Sequence, residues 1–259
     1  ISFFTNAVKV YWIKFHEVPE ASRSSRGSSV KSLIQLSPDE EISTIVTMKD
    51  YTDQQYIFMS TANGTVKKCK TTEFANAKTR GVIGIKLHDG DHLVSAMLTS
   101  GNDDAMLITR KGQALRVSEE SVRPMGRASS GVTGIRLASG DEVAAAISVE
   151  QNKDALVITE KGYGKRVGFD EFGKHGRGTG GQKIFGNIEG KGEIIGAIAV
   201  SETDEVICMS GQGKTLRVSA AMISKQGRAS SGTRIINIDE PDYVVGFDKV
   251  ANEDEKDKE

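Results

Sequence analysis

The sequence predicts an all-β fold of about five repeated units, each with about four antiparallel strands. Two observations support this prediction. A pattern of strand, tight turn, strand, long loop and strand recurs five times with a period near 50 residues, and such a period is typical of a propeller-like or other closed repeat array. The composition is strand-rich, with many Val, Ile, Thr and Gly residues and only four prolines. The repeats indicate one domain over residues 1–250, followed by a flexible acidic tail over residues 251–259.

The clearest copy covers residues 105–137, which read AMLITRKGQALRVSEESVRPMGRASSGVTGIRL. An apolar run, 105–108, is followed by a turn that ends at Gly112 and by a second, alternating strand. A loop bounded by two glycines, 126–131, leads to a third strand over 132–137. Each connection between repeats is expected to hold one further apolar strand, at residues 42–48, 93–98, 143–149, 194–200 and 243–247. Helix signals are weak throughout the chain.

Three positions align the copies. A hydroxyl residue opens each turn, and this repeat marker is Thr5, Thr61, Thr109, Thr159 and Ser210 in successive copies. A glycine follows three residues later in every copy except the first, which has Val8, and glycine provides the positive φ of a tight hairpin turn. A loop glycine closes each long loop, at Gly27, Gly81, Gly131, Gly181 and Gly232. An arginine stands four residues before it in every copy except the second, at Arg23, Arg127, Arg177 and Arg228.

The recurrence of these residues has two readings. The glycines alone fit a repeat that is kept only for folding. An exposed loop arginine contributes little to a core, so its recurrence favours a function on the surface.

The charges alternate in sign along the chain. The net charge is only −1, but each repeat body has a surplus of Lys and Arg, over residues 1–36, 56–87, 105–137, 155–186 and 206–238. The bodies together carry +20, and the connections and the tail together carry −21. Because equivalent positions of a closed repeat array lie on equivalent parts of its surface, we expect a continuous basic band, the rim, with the acidic connections elsewhere. A pattern kept only for solubility would intersperse the two signs.

The basic rim is expected to bind duplex DNA. Aromatic residues make up 6% of the chain and are nearly absent from the basic loops, whereas proteins that bind single strands stack bases on aromatic side chains. The loops offer arginine, lysine, hydroxyl groups and glycine N–H groups, which contact phosphate oxygens without reading base edges.

No pattern indicates catalysis, a metal site or a nucleotide site. Among the four histidines, His88 and His92 are four residues apart, but Gly90 between them indicates a turn and not a metal-binding helix. The glycine-rich run 176–181 lacks the ending of a phosphate-binding P-loop and aligns with the ordinary loop of the fourth repeat.

Several features bear on the cellular setting. Cys69 and Cys208 have no motif spacing, and we interpret them as reduced thiols of an intracellular protein. No apolar run approaches the roughly 20 residues of a membrane-spanning helix. The chain starts at Ile1 in what already reads as a strand, so we expect it to be part of a longer polypeptide. The lone Trp12 is expected to be packed.

Three phrases resemble a known family. FFTN…VYWIKFHEVPEASR, VRPMGRASSGVTGIRL and ITEKGYGKRVGFDEF…GRGTGGQ are similar to the C-terminal domain of the bacterial DNA gyrase A subunit, in the type II topoisomerase A subunit family. The resemblance covers nearly all of residues 1–250. It implies a β-pinwheel, in which four-stranded blades exchange strands with their neighbours, with a sixth blade expected upstream. The gyrase members also have a box similar to Gln-Arg-Arg-Gly-Gly-Lys-Gly before the FFTN phrase, and we expect this chain to begin after it.

The resemblance also implies a function and its setting. Duplex DNA is expected to wrap around the basic rim and to support ATP-dependent negative supercoiling. The rest of the enzyme would use ATP and Mg²⁺, and its catalytic tyrosine lies in another domain, so Tyr163 does not take that role. This domain is therefore expected to have no catalytic residue, metal or cofactor of its own. The expected partners are duplex DNA, the gyrase B subunit, and the rest of the gyrase A subunit, with the complex located at the nucleoid in the bacterial cytoplasm.

Basic residues of the repeat bodies are predicted to contact the DNA. The predicted contacts are Arg23, Arg26, Lys31, Lys68, Lys78, Arg80, Arg110, Arg116, Arg127, Lys165, Arg166, Arg177, Lys183, Arg217, Arg228 and Arg234.

Other functions remain open on the sequence. The related topoisomerase IV A subunit has a similar domain and serves decatenation. A propeller that binds only proteins would need no DNA contact. An enzyme built on a propeller is the third alternative, and the absence of a polar constellation argues against it.

Overall fold

The computed structural model describes residues 1–22, 25 and 27–250. This part of the chain is almost entirely β-structure, with nineteen strands and one four-residue α-helix, α1, at Ile188–Lys191. The strands in chain order are β1 (Ser2–Thr5), β2 (Lys9–Trp12), β3 (Ile42–Val46), β4 (Tyr56–Thr61), β5 (Thr65–Lys70), β6 (Val82–Ile83), β7 (Leu93–Thr99), β8 (Asp104–Thr109), β9 (Gln113–Ser118), β10 (Val132–Thr133), β11 (Val143–Ser148), β12 (Asp154–Thr159), β13 (Tyr163–Gly168), β14 (Gln182–Lys183), β15 (Ile194–Val200), β16 (Glu205–Ser210), β17 (Thr215–Ser219), β18 (Thr233–Arg234) and β19 (Val244–Val250).

The predicted strands of the connections are confirmed to within three residues at each end, as β3, β7, β11, β15 and β19. Short 3-10 helices follow the hairpins and one lies in the first loop, at Phe15–Glu17, Val30–Ser32, Thr71–Phe74, Glu119–Ser121, Phe169–Glu171 and Ala220–Met222. The weak helix signals therefore correspond to single turns.

The repeat marker builds each hairpin turn through two hydrogen bonds. In the third copy, Thr109 accepts the N–H of Gly112 at its carbonyl oxygen and the N–H of Gln113 at its hydroxyl, both at 3.1 Å. Both bonds recur in the other four copies. Gly112 has a φ of 84°, which glycine adopts without strain, and Val8 adopts a φ of 57° in the first copy. The marker is a hydroxyl residue because its side chain closes the turn.

Each hairpin forms the centre of an antiparallel sheet. Four sheets have four strands, in the orders β3-β1-β2-β6, β10-β5-β4-β7, β11-β8-β9-β14 and β15-β12-β13-β18. In each of them one outer strand comes from the connection after the hairpin, and the other is a two-residue exchanged strand from the next repeat. The fifth sheet, in the order β17-β16-β19, has three strands among the residues that the structure describes. The all-β blade fold is thus confirmed, and so is the exchange of strands in four sheets.

The chain divides into two compact units. The first comprises Ile1–Asp103 and Glu119–Gly134, and the second comprises Asp104–Ser118 and the described residues from Ile135 onward. The division falls within the third repeat because of strand exchange. The hairpin of that repeat belongs to the second unit, while β10 pairs with β5 in the first.

Each unit has its own apolar core. In the first unit, Phe4 packs edge-on against Phe74, with ring centroids 6.0 Å apart. In the second unit, Phe172 and Phe185 are buried in a cluster of apolar side chains. The strands β4, β8 and β12, each the first strand of its hairpin, are buried along nearly their whole length. Their sequences are therefore mainly continuous apolar runs and do not alternate between apolar and polar residues.

Several smaller predictions can be compared with the structure. Trp12 is packed, since its Nε1 donates to the carbonyl of Ala75 at 3.2 Å and its ring lies 5.8 Å from that of Tyr51. Cys69 and Cys208 are buried free cysteines, and burial raises the pKa of each thiol to about 11. In the described part of the chain no helix has the length and apolarity to span a membrane. The predicted tail, 251–259, lies outside the described residues.

Candidate nucleic-acid interface

Three arginine loops, defined as residues 126–131, 176–181 and 227–232, each follow the hairpin of their own repeat and lie against the hairpin of the repeat before it. The two residues before each loop form a lead-in segment that runs parallel to the second strand of that earlier hairpin. The lead-in segments are residues 124–125, 174–175 and 225–226. Main-chain N–H groups of the three lead-in segments donate to this strand at 2.8–2.9 Å, from Met125 to Lys68, from His175 to Arg116 and from Gln226 to Arg166. The start of each loop is therefore fixed by the neighbouring hairpin.

The loop glycine fixes the other end of each arginine loop. Gly131 has a φ of 80°, and a Cβ atom there would lie 2.6 Å from the carbonyl oxygen of Val66. The same close approach joins Gly181 to the carbonyl of Ala114 and Gly232 to the carbonyl of Gly164. No other residue fits this contact without a shift of the backbone, which explains why glycine recurs at this position.

The loop arginines differ in exposure. Arg177 is exposed, and Arg127 and Arg228 are half-buried. Arg127 Nε lies 3.9 Å from a carboxylate oxygen of Glu73, and the backbone N–H of Arg228 donates to Glu171 at 2.8 Å. Each loop thus presents one guanidinium at an equivalent place in its repeat.

Seven of the predicted contacts are exposed: Lys31, Lys78, Arg80, Arg177, Lys183, Arg217 and Arg234. Two of these, Lys183 and Arg234, stand on the exchanged strands β14 and β18. Arg234 donates to the Tyr163 hydroxyl at 2.5 Å, and Lys191 Nζ lies 3.7 Å from the centroid of the same ring. The hydrogen bond from Arg234 lowers the pKa of Tyr163. The exchanged strands thereby add cations next to the loops.

Three of the predicted contacts are buried and do not fit the prediction. Lys165 is 0% exposed, and its ammonium group is surrounded by carbonyl oxygens. Lys68 and Arg166 are 3% and 4% exposed. Lys68 Nζ lies 3.5 Å from Glu119, and Arg166 pairs with Asp154 at 3.1 Å. The sequence shows that these residues are basic but not that they point inward, and buried side chains do not reach a ligand at the surface.

Of four other predicted contacts, two have carboxylate partners and two lie outside the described residues. Arg110 lies 3.5 Å from Glu142 and 3.6 Å from Glu193, so two carboxylates already offset its charge. Arg116 is half-buried and donates to Asp104 and to the carbonyl of Phe169. The remaining two, Arg23 and Arg26, lie outside the described residues.

Two exposed cations beside the loops were not among the predicted contacts. Lys86 and Arg136 each stand five residues after a loop glycine and are exposed. Their backbone N–H groups donate to Ser129 and Thr179 of the next arginine loop, at 3.1 and 2.9 Å. The shared offset from the loop glycine was the signal that would have identified them.

The acidic connections have a structural use near the turns. The carboxylates of Asp91, Asp141 and Asp242 accept backbone N–H groups of three hairpin turns at 3.0 Å. Within the described part of the chain, no group of three or more His, Cys, Asp or Glu side chains is placed to hold a metal ion.

Five antiparallel sheets, four of which take an outer strand from the next repeat, define a repeat protein of the propeller class. A loop that contains basic residues precedes each exchanged strand. A family model described as "DNA gyrase C-terminal domain, beta-propeller" matches residues 1–47, 55–100, 103–150, 153–201 and 204–251. The chain belongs to this DNA gyrase C-terminal domain family.

Curated relatives and solved structures agree with this assignment. The chain is 60% identical over 247 residues to the DNA gyrase A subunit of Treponema pallidum, covering 95% of this chain and 30% of that protein. It is 37% identical to the DNA gyrase A subunit of Salmonella typhimurium, covering 96% of this chain and 28% of that one. The chain thus spans about 30% of the length of these relatives.

Among solved structures, a DNA gyrase A C-terminal domain matches with a TM-score of 0.85 and 32% identity, over 96% of this chain and 82% of that one. The C-terminal domain of a DNA topoisomerase IV matches with a TM-score of 0.87 and 25% identity, over 96% and 78%.

Proposed function

We propose that the protein binds duplex DNA through its arginine loops and exchanged strands and bends it, as the DNA-wrapping part of a DNA gyrase. The observation that carries the proposal is the recurrence of a loop arginine at the same structural position. Arg127, Arg177 and Arg228 each follow a lead-in segment that is fixed to the preceding hairpin. Cations of the exchanged strands β14 and β18 stand beside the loops of Arg177 and Arg228. A ligand with regularly spaced negative charges fits such a series.

The chemistry of these positions favours the phosphate backbone over the bases. Guanidinium and ammonium groups bind phosphate oxygens with bidentate or point-charge contacts. The arginine loops hold neither an aromatic platform for stacking nor an element that would enter a groove. Binding is therefore tolerant of DNA sequence and sensitive to salt.

A series of weak contacts also suits DNA bending. Bending 20–30 base pairs through 40–90° costs roughly 1–6 kcal/mol, and one exposed charge contact contributes about 0–1 kcal/mol. No single loop offsets that cost. Several repeats that each hold the backbone at one point can share it.

The proposed setting follows from the gyrase relatives. The module would act with a gyrase B subunit, together with the remainder of its own gyrase A subunit, in the bacterial cytoplasm, and would support negative supercoiling. The higher identity to gyrase A subunits than to the topoisomerase IV structure favours this role over decatenation.

The test measures DNA affinity against salt for the protein and for the triple variant Arg127→Ala, Arg177→Ala and Arg228→Ala. The matched control removes three positive charges from the acidic connections, by Lys49→Ala, Lys153→Ala and Lys249→Ala. Each lost phosphate contact lowers the slope of log K against log salt by about 0.9, so the loop variant should lose close to three units of slope. Equal slopes for the loop variant and the control would refute the proposal.

A further inference from the structure

In the second strand of three hairpins, one position faces the arginine loop of the next repeat. It stands six residues after the repeat marker and is Lys67 in β5, Leu115 in β9 and Lys165 in β13. Both lysines are 0% exposed. Buried lysines are rare because burial removes the ammonium group from water, so each of them needs a compensating set of acceptors.

The acceptors are main-chain carbonyls of the arginine loop. Lys165 Nζ donates to the carbonyl oxygens of Gly227, Arg228 and Ser230 at 2.7, 2.9 and 3.1 Å. It also lies 3.0 Å from the Ser230 hydroxyl.

Lys67 repeats this arrangement in the first unit. Its Nζ donates to the carbonyls of Arg127 and Ser129 and, at 2.8 Å, to that of Gly84. In both cases the loop arginine itself supplies one of the carbonyls.

The loop sequence changes together with this residue. The two loops that face a lysine read Gly-Arg-Ala-Ser-Ser-Gly, at 126–131 and 227–232, whereas the loop that faces Leu115 reads Gly-Arg-Gly-Thr-Gly-Gly, at 176–181. The backbone differs too, because Gly178 has a φ of 79°, a conformation absent at the equivalent Ala128 and Ala229 among the described residues.

A third position also differs between the repeats with a buried lysine and the repeat with Leu115. Twelve residues after the marker, the repeats that supply a lysine have Glu73 and Glu171, and the repeat that supplies Leu115 has Ser121. Glu73 and Glu171 interact with the Arg127 side chain and the Arg228 backbone. In the three hairpins that face an arginine loop, the hairpin lysine, the glutamate and the loop sequence therefore vary together.

We propose that Lys67 and Lys165 are positioning residues for DNA binding: each ammonium group fixes the backbone of one arginine loop and thereby sets where Arg127 or Arg228 meets the DNA. The loop that faces Leu115 lacks this tether and presents Arg177 from a more adaptable, glycine-rich backbone. The inference rests on the proposed DNA contact of the loop arginines and adds that the loops fall into two kinds.

The physical basis is preorganisation. An ammonium group has three donors, and Lys165 directs them at carbonyls from three residues of one loop. Fixing the backbone of a residue in one conformation costs conformational entropy. A loop already ordered by the lysine does not incur that cost when it binds phosphate. An Ala-Ser-Ser loop also has fewer accessible backbone states than a Gly-Thr-Gly loop.

The first test compares Lys165→Leu with Arg228→Ala and with the double variant, in the full chain. Lys165→Leu is expected to speed amide hydrogen exchange in 227–232 but not in 176–181, and to weaken DNA binding by roughly threefold to tenfold. If the lysine acts through Arg228, the double variant binds no more weakly than the more impaired single variant. Additive losses, or unchanged exchange in 227–232, would overturn the proposal.

The chain itself supplies a rescue variant. Lys165→Leu with Ala229→Gly, Ser230→Thr and Ser231→Gly reproduces the combination of Leu115 with its own loop, and it is expected to recover most of the thermal stability that Lys165→Leu loses. A rescue variant no more stable than Lys165→Leu, or unable to fold, would contradict the matched set. Normal DNA affinity of Arg228→Ala alone would instead count against the proposed function at this loop, while the exchange data would still test the tether.

Discussion

The guanidinium of Arg166 donates to the carboxylate of Asp154 at 3.1 Å, and the two side chains are only 5% and 11% exposed. A pair of an arginine and an acidic residue recurs at the equivalent positions of two other hairpins, as Arg116 with Asp104 and as Arg217 with Glu205. The arginine is 24% exposed in the first of these and 61% exposed in the second. One interaction is thus present at three depths in a single protein.

Removing the acid of these pairs is expected to destabilise the protein in the order of burial. Asp154→Ala leaves the buried guanidinium of Arg166 paired with Glu202, a largely exposed carboxylate 3.4 Å away, so the loss should lie at the lower end of the roughly 3–5 kcal/mol that breaking a buried pair costs. Glu205→Ala removes an exposed pair, which contributes about 0–1 kcal/mol, and Asp104→Ala should fall between them. Urea denaturation of the three variants measures the series. Equal losses at all three sites would show that burial does not decide the strength of the pair.

A second buried pair, Lys68 with Glu119, predicts strong coupling. Lys68 Nζ lies 3.5 Å from Glu119 Oε1, both side chains are at most 4% exposed, and burial raises the pKa of Glu119. Either single change, Lys68→Met or Glu119→Leu, is expected to cost about 3–5 kcal/mol, because it leaves one buried charge unpaired.

The double variant, Lys68→Met with Glu119→Leu, should lose far less stability than the sum of the two single variants. Replacing both partners of a buried pair by apolar side chains is often neutral or stabilising. A double-mutant cycle from denaturation curves checks this expectation. Additive losses would mean that the two charges do not compensate each other.

The repeats explain why so much of the fold was predictable. Turn glycines, the hydroxyl marker and the apolar connection strands are local patterns, and each recurs along the chain, so their register was fixed by comparison between copies. The exchanged strands β6, β10, β14 and β18 have two residues each and pair with strands of another repeat. No local sequence pattern identifies the strand with which each of them pairs. The exchange of strands was therefore expected only from the family resemblance.

The candidate site was predictable in kind but not residue by residue. Arg177, Lys183 and Arg234 are exposed as expected, whereas Lys165 and Arg166 are buried. A lysine that alternates with apolar residues in a strand has the same sequence pattern on either face. Its direction depends on the carbonyls of a loop more than 60 residues away, and a single sequence does not show that contact.

The loop glycine offers a matched pair of substitutions within one loop. Gly131→Ala places a Cβ atom 2.6 Å from the carbonyl of Val66 at a φ of 80° and is expected to cost about 2 kcal/mol or more. Gly126→Ala meets nothing within 4 Å and should change stability by less than about 0.5 kcal/mol. Thermal unfolding of both variants tests the expectation. Similar melting temperatures would show that the loop moves away from Val66 without cost.

The last prediction concerns the pH dependence of stability through Lys165. Burial lowers the pKa of its ammonium group to about 8, with Glu171 opposing the shift. The pKa of lysine in an unfolded chain is about 10.4. Between these two values the unfolded chain binds more protons at this position than the folded one. This group therefore makes the protein more stable as pH rises from about 8 to 10, with a slope of up to about 1.4 kcal/mol per pH unit.

The measurement is the free energy of unfolding of the protein minus that of Lys165→Met, at several pH values from 7 to 10. The difference removes the titration of groups common to both proteins, including the cysteines and tyrosines. It should be flat below about pH 8 and then shift in favour of the lysine-containing protein. Lys214→Met, at an exposed position of the fifth hairpin, serves as the control for the loss of a lysine side chain. A flat difference for Lys165→Met would show that the ammonium group keeps its ordinary pKa in the fold, held by the three loop carbonyls.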